Sequence, residues 1–70
     1  MNNFLPVQIE IAEICRQLSV DAGRPVCDVE AVLWLRRQGF IHYGDSWVGD
    51  EQSQQSLLDL QKRLTRLTPQ

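Results

Sequence analysis

Hydrophobic and polar positions change their period twice along this chain. Val7, Ile11, Ile14, Cys15 and Leu18 recur at helical spacing, with Gln8, Glu10, Glu13, Arg16 and Gln17 on the other side. The pattern predicts an amphipathic helix over residues 6–19 with one core stripe. Pro6 suits the first turn of such a helix, where its missing N–H has no helical partner, and Gly23-Arg24-Pro25 stops any continuation. A second helix is expected over 28–38, with Asp28 as N-cap and Gly39 just past the end. Val29, Ala31, Val32, Leu33, Trp34 and Leu35 leave it only a narrow polar sector at Glu30 and Arg37, the pattern of a central helix, and place Trp34 in or beside the core.

The helical period then gives way to two short aromatic and β-branched runs over 40–48 that flank Gly44-Asp45, the signature of a β-hairpin with a type II′ turn. A third helix is predicted over 51–67, where Leu57, Leu60, Leu64 and Leu67 form a narrow seam of coiled-coil type with Leu58 beside it. That seam suggests a homodimer, because a domain this small gains burial by pairing; the alternative is that the helix folds back across its own wing and helices and uses the leucines internally. Asp59 precedes Lys62 and Arg63 by three and four residues, the favourable order for ion pairs along a helix, and Thr68-Pro69-Gln70 is expected to fray. The fold class that follows is mostly α with a small β-hairpin wing: a compact winged-helix-like domain of three helices, single over residues 1–70.

Seventy residues leave no room for a second lobe that could carry a site. With 43% hydrophobic and 23% charged residues the composition is that of an ordinary globular chain, and no apolar run approaches the roughly 20 residues that span a bilayer. Met1 to Pro6 lacks the basic, apolar and small-residue parts of a secretory signal, which points to the cytoplasm.

The candidate chemistry is sparse. Cys15 and Cys27 form no CxxC pair and have no second histidine beside them, so they read as small buried hydrophobes rather than metal ligands. His42 is the single histidine and has no cysteine or serine partner nearby, while Asp50-Glu51 suits a helix start better than a catalytic dyad. No catalytic residue, metal or cofactor is expected, and an enzyme is the least favoured class.

Charge and wing chemistry weigh against nucleic acid. The net charge is −2, the wrong sign for affinity built on phosphate neutralisation. The wing offers His42, Tyr43, Asp45, Ser46 and Trp47, with a carboxylate at its tip that repels phosphate. Phe40, Tyr43 and Trp47 read as a cover for the core, with Tyr43 and Trp47 as the alternative contact patch for a protein. Lys62, Arg63 and Arg66 complement a helix C-terminus. Glu10, Glu13, Asp21, Asp28 and Glu30 make the first half acidic, which suits a basic partner surface and equally a plain solvated face.

The stretches "IAEICRQLSV", "VLWLRRQGFI" and "SWVGDEQSQQSLLDLQKRL" together resemble the opening of MerR-like winged helix-turn-helix domains, over residues 7 to 67. Within that superfamily Cys15 late in the first helix, Trp47 in the wing with Asp50 after it, and Arg63-Leu64 in the third helix resemble the CbpM-type modulators of J-domain co-chaperones. Two features depart from the DNA-reading members. The connection from Val20 to Cys27 is longer than a tight helix-turn-helix turn, and Leu33 stands where those proteins carry a phosphate-binding arginine. The resemblance implies a non-enzymatic, protein-binding modulator that occludes a J-domain co-chaperone, with Glu10, Glu13, Tyr43 and Trp47 as contact residues. The alternative is a small DNA-binding regulator of MerR or excisionase kind, using Arg24, Glu30, Arg36, Arg37 and Gln38.

Overall fold

A computed structural model describes residues 5–44 and 46–67. The expectations for Asp45 at the wing tip and for a frayed 68–70 lie outside the described residues, as does the side chain of Leu67. The order is β1 (Leu5–Val7), α1 (Ile11–Ala22), α2 (Asp28–Arg37), β2 (Ile41–Tyr43), β3 (Ser46–Gly49) and α3 (Glu51–Leu67). Three helices and a wing are therefore present, as the periodicity predicts.

The first element corrects the sequence reading. Residues 5–7 are a strand, and α1 begins only at Ile11 and continues to Ala22. β1 pairs antiparallel with β3 (Leu5 with Gly49, Pro6 with Val48, Val7 with Trp47), and β2 pairs with the other side of β3. The sheet order is thus β1-β3-β2. Pro6, which has no N–H to give a ladder, is tolerated because β1 is an edge strand.

α1 ends where Gly23 turns left-handed at φ 71° and returns its N–H to the Ser19 carbonyl at 2.9 Å. The long connection that follows is held to α1 by one hydroxyl. Ser19 Oγ donates to the Cys15 carbonyl at 2.6 Å and accepts the Val26 N–H at 3.0 Å. Cys27 is the N-cap of α2, one residue before the position expected, and Asp28 opens the helix itself. The far end is a Schellman turn: Gly39 at φ 100° donates to Arg36 at 3.0 Å, and Phe40 donates to Leu35 at 3.0 Å. At the head of α3 the Asp50 carboxylate accepts the Ser53 N–H at 2.8 Å and the Ser53 hydroxyl at 2.9 Å. Those bonds, the backbone one first, hold the Asp50 carboxyl below its ordinary pKa. The same hydroxyl lies 2.7 Å from the Gln38 carbonyl and, having a single hydrogen, shares it between that carbonyl and Asp50, which ties the start of α3 to the end of α2.

The core is Ile14 and Leu18 of α1, Ala31 and Leu35 of α2, Phe40, Trp47 and Leu60. α1 packs on both other helices and is the central one. The expectation of a central α2 fails because its apolar residues divide: Ala31 and Leu35 are buried, Trp34 and Val32 lie half-buried against the core, and Val29 and Leu33 face outward. Trp47 closes the core from β3 with His42 of β2 stacked on it at 4.8 Å between ring centres, whereas Tyr43 points away at 77% exposure. Cys27 is exposed and Cys15 half-buried, so only one thiol approaches the apolar role expected of both.

Candidate functional site

Two concave surfaces flank α1. One is a notch of about 230 Å³ between the segment leading into α1, the first turns of α1, and α3. Ile9, Ile14 and Leu57 supply its apolar wall, Glu10, Glu13 and Gln17 its polar one, with Gln8 and Gln61 completing the lining. Glu13 binds Arg16 through both carboxylate oxygens and also accepts the Gln17 Nε2–H at 3.2 Å. The Arg16 bonds first, and the Gln17 amide second, hold its carboxyl below the usual range. Glu10 makes no ion pair among the described residues.

Gln17 is the residue that the sequence reading missed. Its polarity assigned it to the solvent face, yet it is only 8% exposed, and its Oε1 has no hydrogen-bond partner among the described residues. A signal was present: Gln17 follows Ile14 by three and precedes Leu18 by one, the spacing of the core stripe itself.

The second surface is a cleft of about 350 Å³ between the end of α1 and α2, bordered by Leu18, Val26, Leu33, Trp34, Arg24 and Arg37 among others. The apolar strip of Val29, Val32 and Leu33 adjoins it along α2. Val29 is 66% and Leu33 50% exposed. Arg24 Nη2 donates to Glu30 Oε2 at 2.9 Å and its Nη1 donates to the Pro25 carbonyl at 3.1 Å, so neither Arg24 nor Glu30 stands unengaged. Arg36 and Arg37 are exposed in the last turn of α2, and Gln38 is half-buried with its backbone closing the helix. Of the five residues of the DNA-reading alternative, Arg24, Glu30 and Arg37 border this cleft, with the first two paired to each other, while Arg36 and Gln38 lie outside its lining.

The protein-contact candidates are separated. Glu10 and Glu13 line the notch, Tyr43 is exposed on the wing, and Trp47 is buried at 6% exposure, which corrects its reading as a contact residue. In the leucine seam Leu60 is fully buried in the chain's own core and Leu57 packs beside it, with Leu64 half-buried. Arg63, expected to pair with Asp59, reaches across to Asp21 of α1 at 3.2 Å, while Asp59 accepts from Gln55 at 3.0 Å. No three histidine, cysteine or acidic side chains converge among the described residues, and no described helix is long and apolar enough to cross a membrane.

No protein-family model, curated protein or solved structure matches this chain.

Proposed function

We propose that this domain is a cytoplasmic, non-enzymatic protein-binding modulator that acts by covering a partner's surface. The observation that carries the reading is the outward face of α2. In a helix-turn-helix DNA reader the early residues of this helix meet base edges. Here they are Asp28, Val29 and Glu30, followed a turn later by Leu33, and the nearby Arg24 is already engaged by Glu30. Carboxylates at that place repel phosphate, whereas exposed valine and leucine beside a cleft are what a protein surface buries. The resemblance to CbpM-type modulators makes a J-domain co-chaperone the first partner to test, with Glu10, Glu13 and Tyr43 as the exposed members of the contact set. Self-association through α3 is not carried forward, because Leu60, at the centre of its stripe, is already used inside the chain.

The test has two arms. Generic duplex DNA should bind no better than on the order of 10⁻⁴ M at moderate salt. A J-domain co-chaperone should bind measurably by calorimetry, and Leu33→Glu should weaken it at least about tenfold with the circular dichroism spectrum unchanged. Sequence-selective DNA binding that survives competitor would replace this reading with the DNA-binding regulator.

A further inference from the structure

The charged side chains that border the cleft between α1 and α2 are not equally engaged. Asp21 is bound by Arg63 at 3.2 Å and Glu30 by Arg24 at 2.9 Å, whereas Arg37 makes no ion pair among the described residues. The cleft therefore carries one exposed guanidinium whose charge is unmet.

That guanidinium ends an apolar ridge. Val29, Leu33 and Arg37 recur every four residues along α2 and all three are exposed, so they form one row that is apolar for two steps and cationic at the third. Leu33 belongs both to the cleft and to the strip it makes with Val29 and Val32, and Val26 and Trp34 line the cleft beside it.

Shape and charge together select an occupant. A ridge of four-residue spacing packs against the matching ridge of a second helix. The planar fork of Arg37 fits the two oxygens of a carboxylate, and apolar neighbours that exclude water strengthen such a pair. A nucleic-acid duplex suits the face less well, since it would set phosphates against Asp28 and Glu30 on the same helix.

We infer that this face of α2 receives an amphipathic helix of a protein partner, whose apolar row lies on Val29 and Leu33 and whose acidic residue, one turn further along, pairs with Arg37. The inference rests on the protein-binding reading and adds the partner's charge pattern to it. A partner that needs Leu33 but ignores Arg37 would leave that reading standing and remove this one.

The probe is a capped alanine-based helical peptide with a Leu-Leu-Glu row at four-residue spacing and lysines on its opposite face for solubility. Titrated into isotope-labelled protein and followed by NMR, it should shift the amides of residues 26–37, with a Kd on the order of 10⁻⁴ M for so small a contact. The same peptide with Gln in place of Glu should bind about three- to fivefold more weakly, and the difference should shrink in about 1 M salt. Arg37→Gln should abolish the preference for the Glu peptide, while Arg66→Gln, the same loss of charge on α3, should retain it. Arg37→Glu should reverse it in favour of a Leu-Leu-Lys row. Arg37 is exposed, so each variant should keep the parent's circular dichroism spectrum. Absence of binding by the parent protein, equal affinity for the Glu and Gln peptides, a preference retained by Arg37→Gln, or displacement of the peptide by generic duplex DNA would each overturn the inference.

Discussion

Gly49 is a residue whose side chain must be absent for a packing reason. It is buried on β3, and a Cβ there would stand 2.6 Å from the Phe40 ring and 3.2 Å from Ser53 Cβ. Neither neighbour has room to yield, since Phe40 and Ser53 are both almost fully buried. Gly49→Ala should destabilise the domain by about 1–3 kcal/mol, the range for overpacking, as read from a urea transition. Asp50, next along the chain, gives a pH signature. Its folded-state pKa is lowered, chiefly by the Ser53 N–H, so its contribution is present above the ordinary carboxylate range and is lost as pH falls through the depressed value. Asp50→Asn keeps a capping oxygen but cannot titrate. The gap in melting temperature between the parent and this variant should narrow on acidification from pH 5 to pH 2; a constant gap would remove Asp50 from the acid response.

At the scale of elements, the division of α2 into a buried and an exposed face decides how its substitutions behave. Leu35 is fully buried, so Leu35→Ala should cost about 2–5 kcal/mol. Trp34 is only half-buried at the cleft, and Trp34→Ala should cost less than Leu35→Ala despite the larger side chain. Thermal melts of the two variants side by side check the order. The long, strongly patterned elements were readable from sequence: α2 and α3 fall within a residue of expectation because Gly39 and Asp50 mark their ends with specific chemistry. β1 was not readable, for a physical reason. Three residues are too few to show a period, Val7 happens to sit at helical spacing from Ile11, and the strand's partner is β3, far along the chain. The same limit applies to the candidate site. The acidic residues of the notch were visible as charge, but the notch itself exists only once Leu57 and Gln61 arrive from α3 to line it.

For the whole molecule, the position of α1 between the other two helices means that α3 is part of the core. Leu60→Glu should therefore abolish folding, because it would leave a charge buried among Ile14, Leu18 and their neighbours, whereas Leu58→Glu at an exposed site should leave a folded chain. Circular dichroism across a concentration series separates the outcomes. A folded Leu60→Glu monomer would show that α3 is dispensable to the core. The Asp21–Arg63 pair joins the same two helices but is largely solvent-exposed, so its removal should change stability by no more than about 1 kcal/mol.

The pairing of Val7 with Trp47 also sets an order of events during folding. Contacts between segments far apart in sequence carry a larger loop-closure cost than neighbouring ones and tend to form later. α1 and α2 can dock as soon as both have been synthesised, and the β2–β3 hairpin closes on a two-residue loop. β1 has no partner until β3 exists, so on the ribosome the first strand to be made is the last in the sheet to find its place.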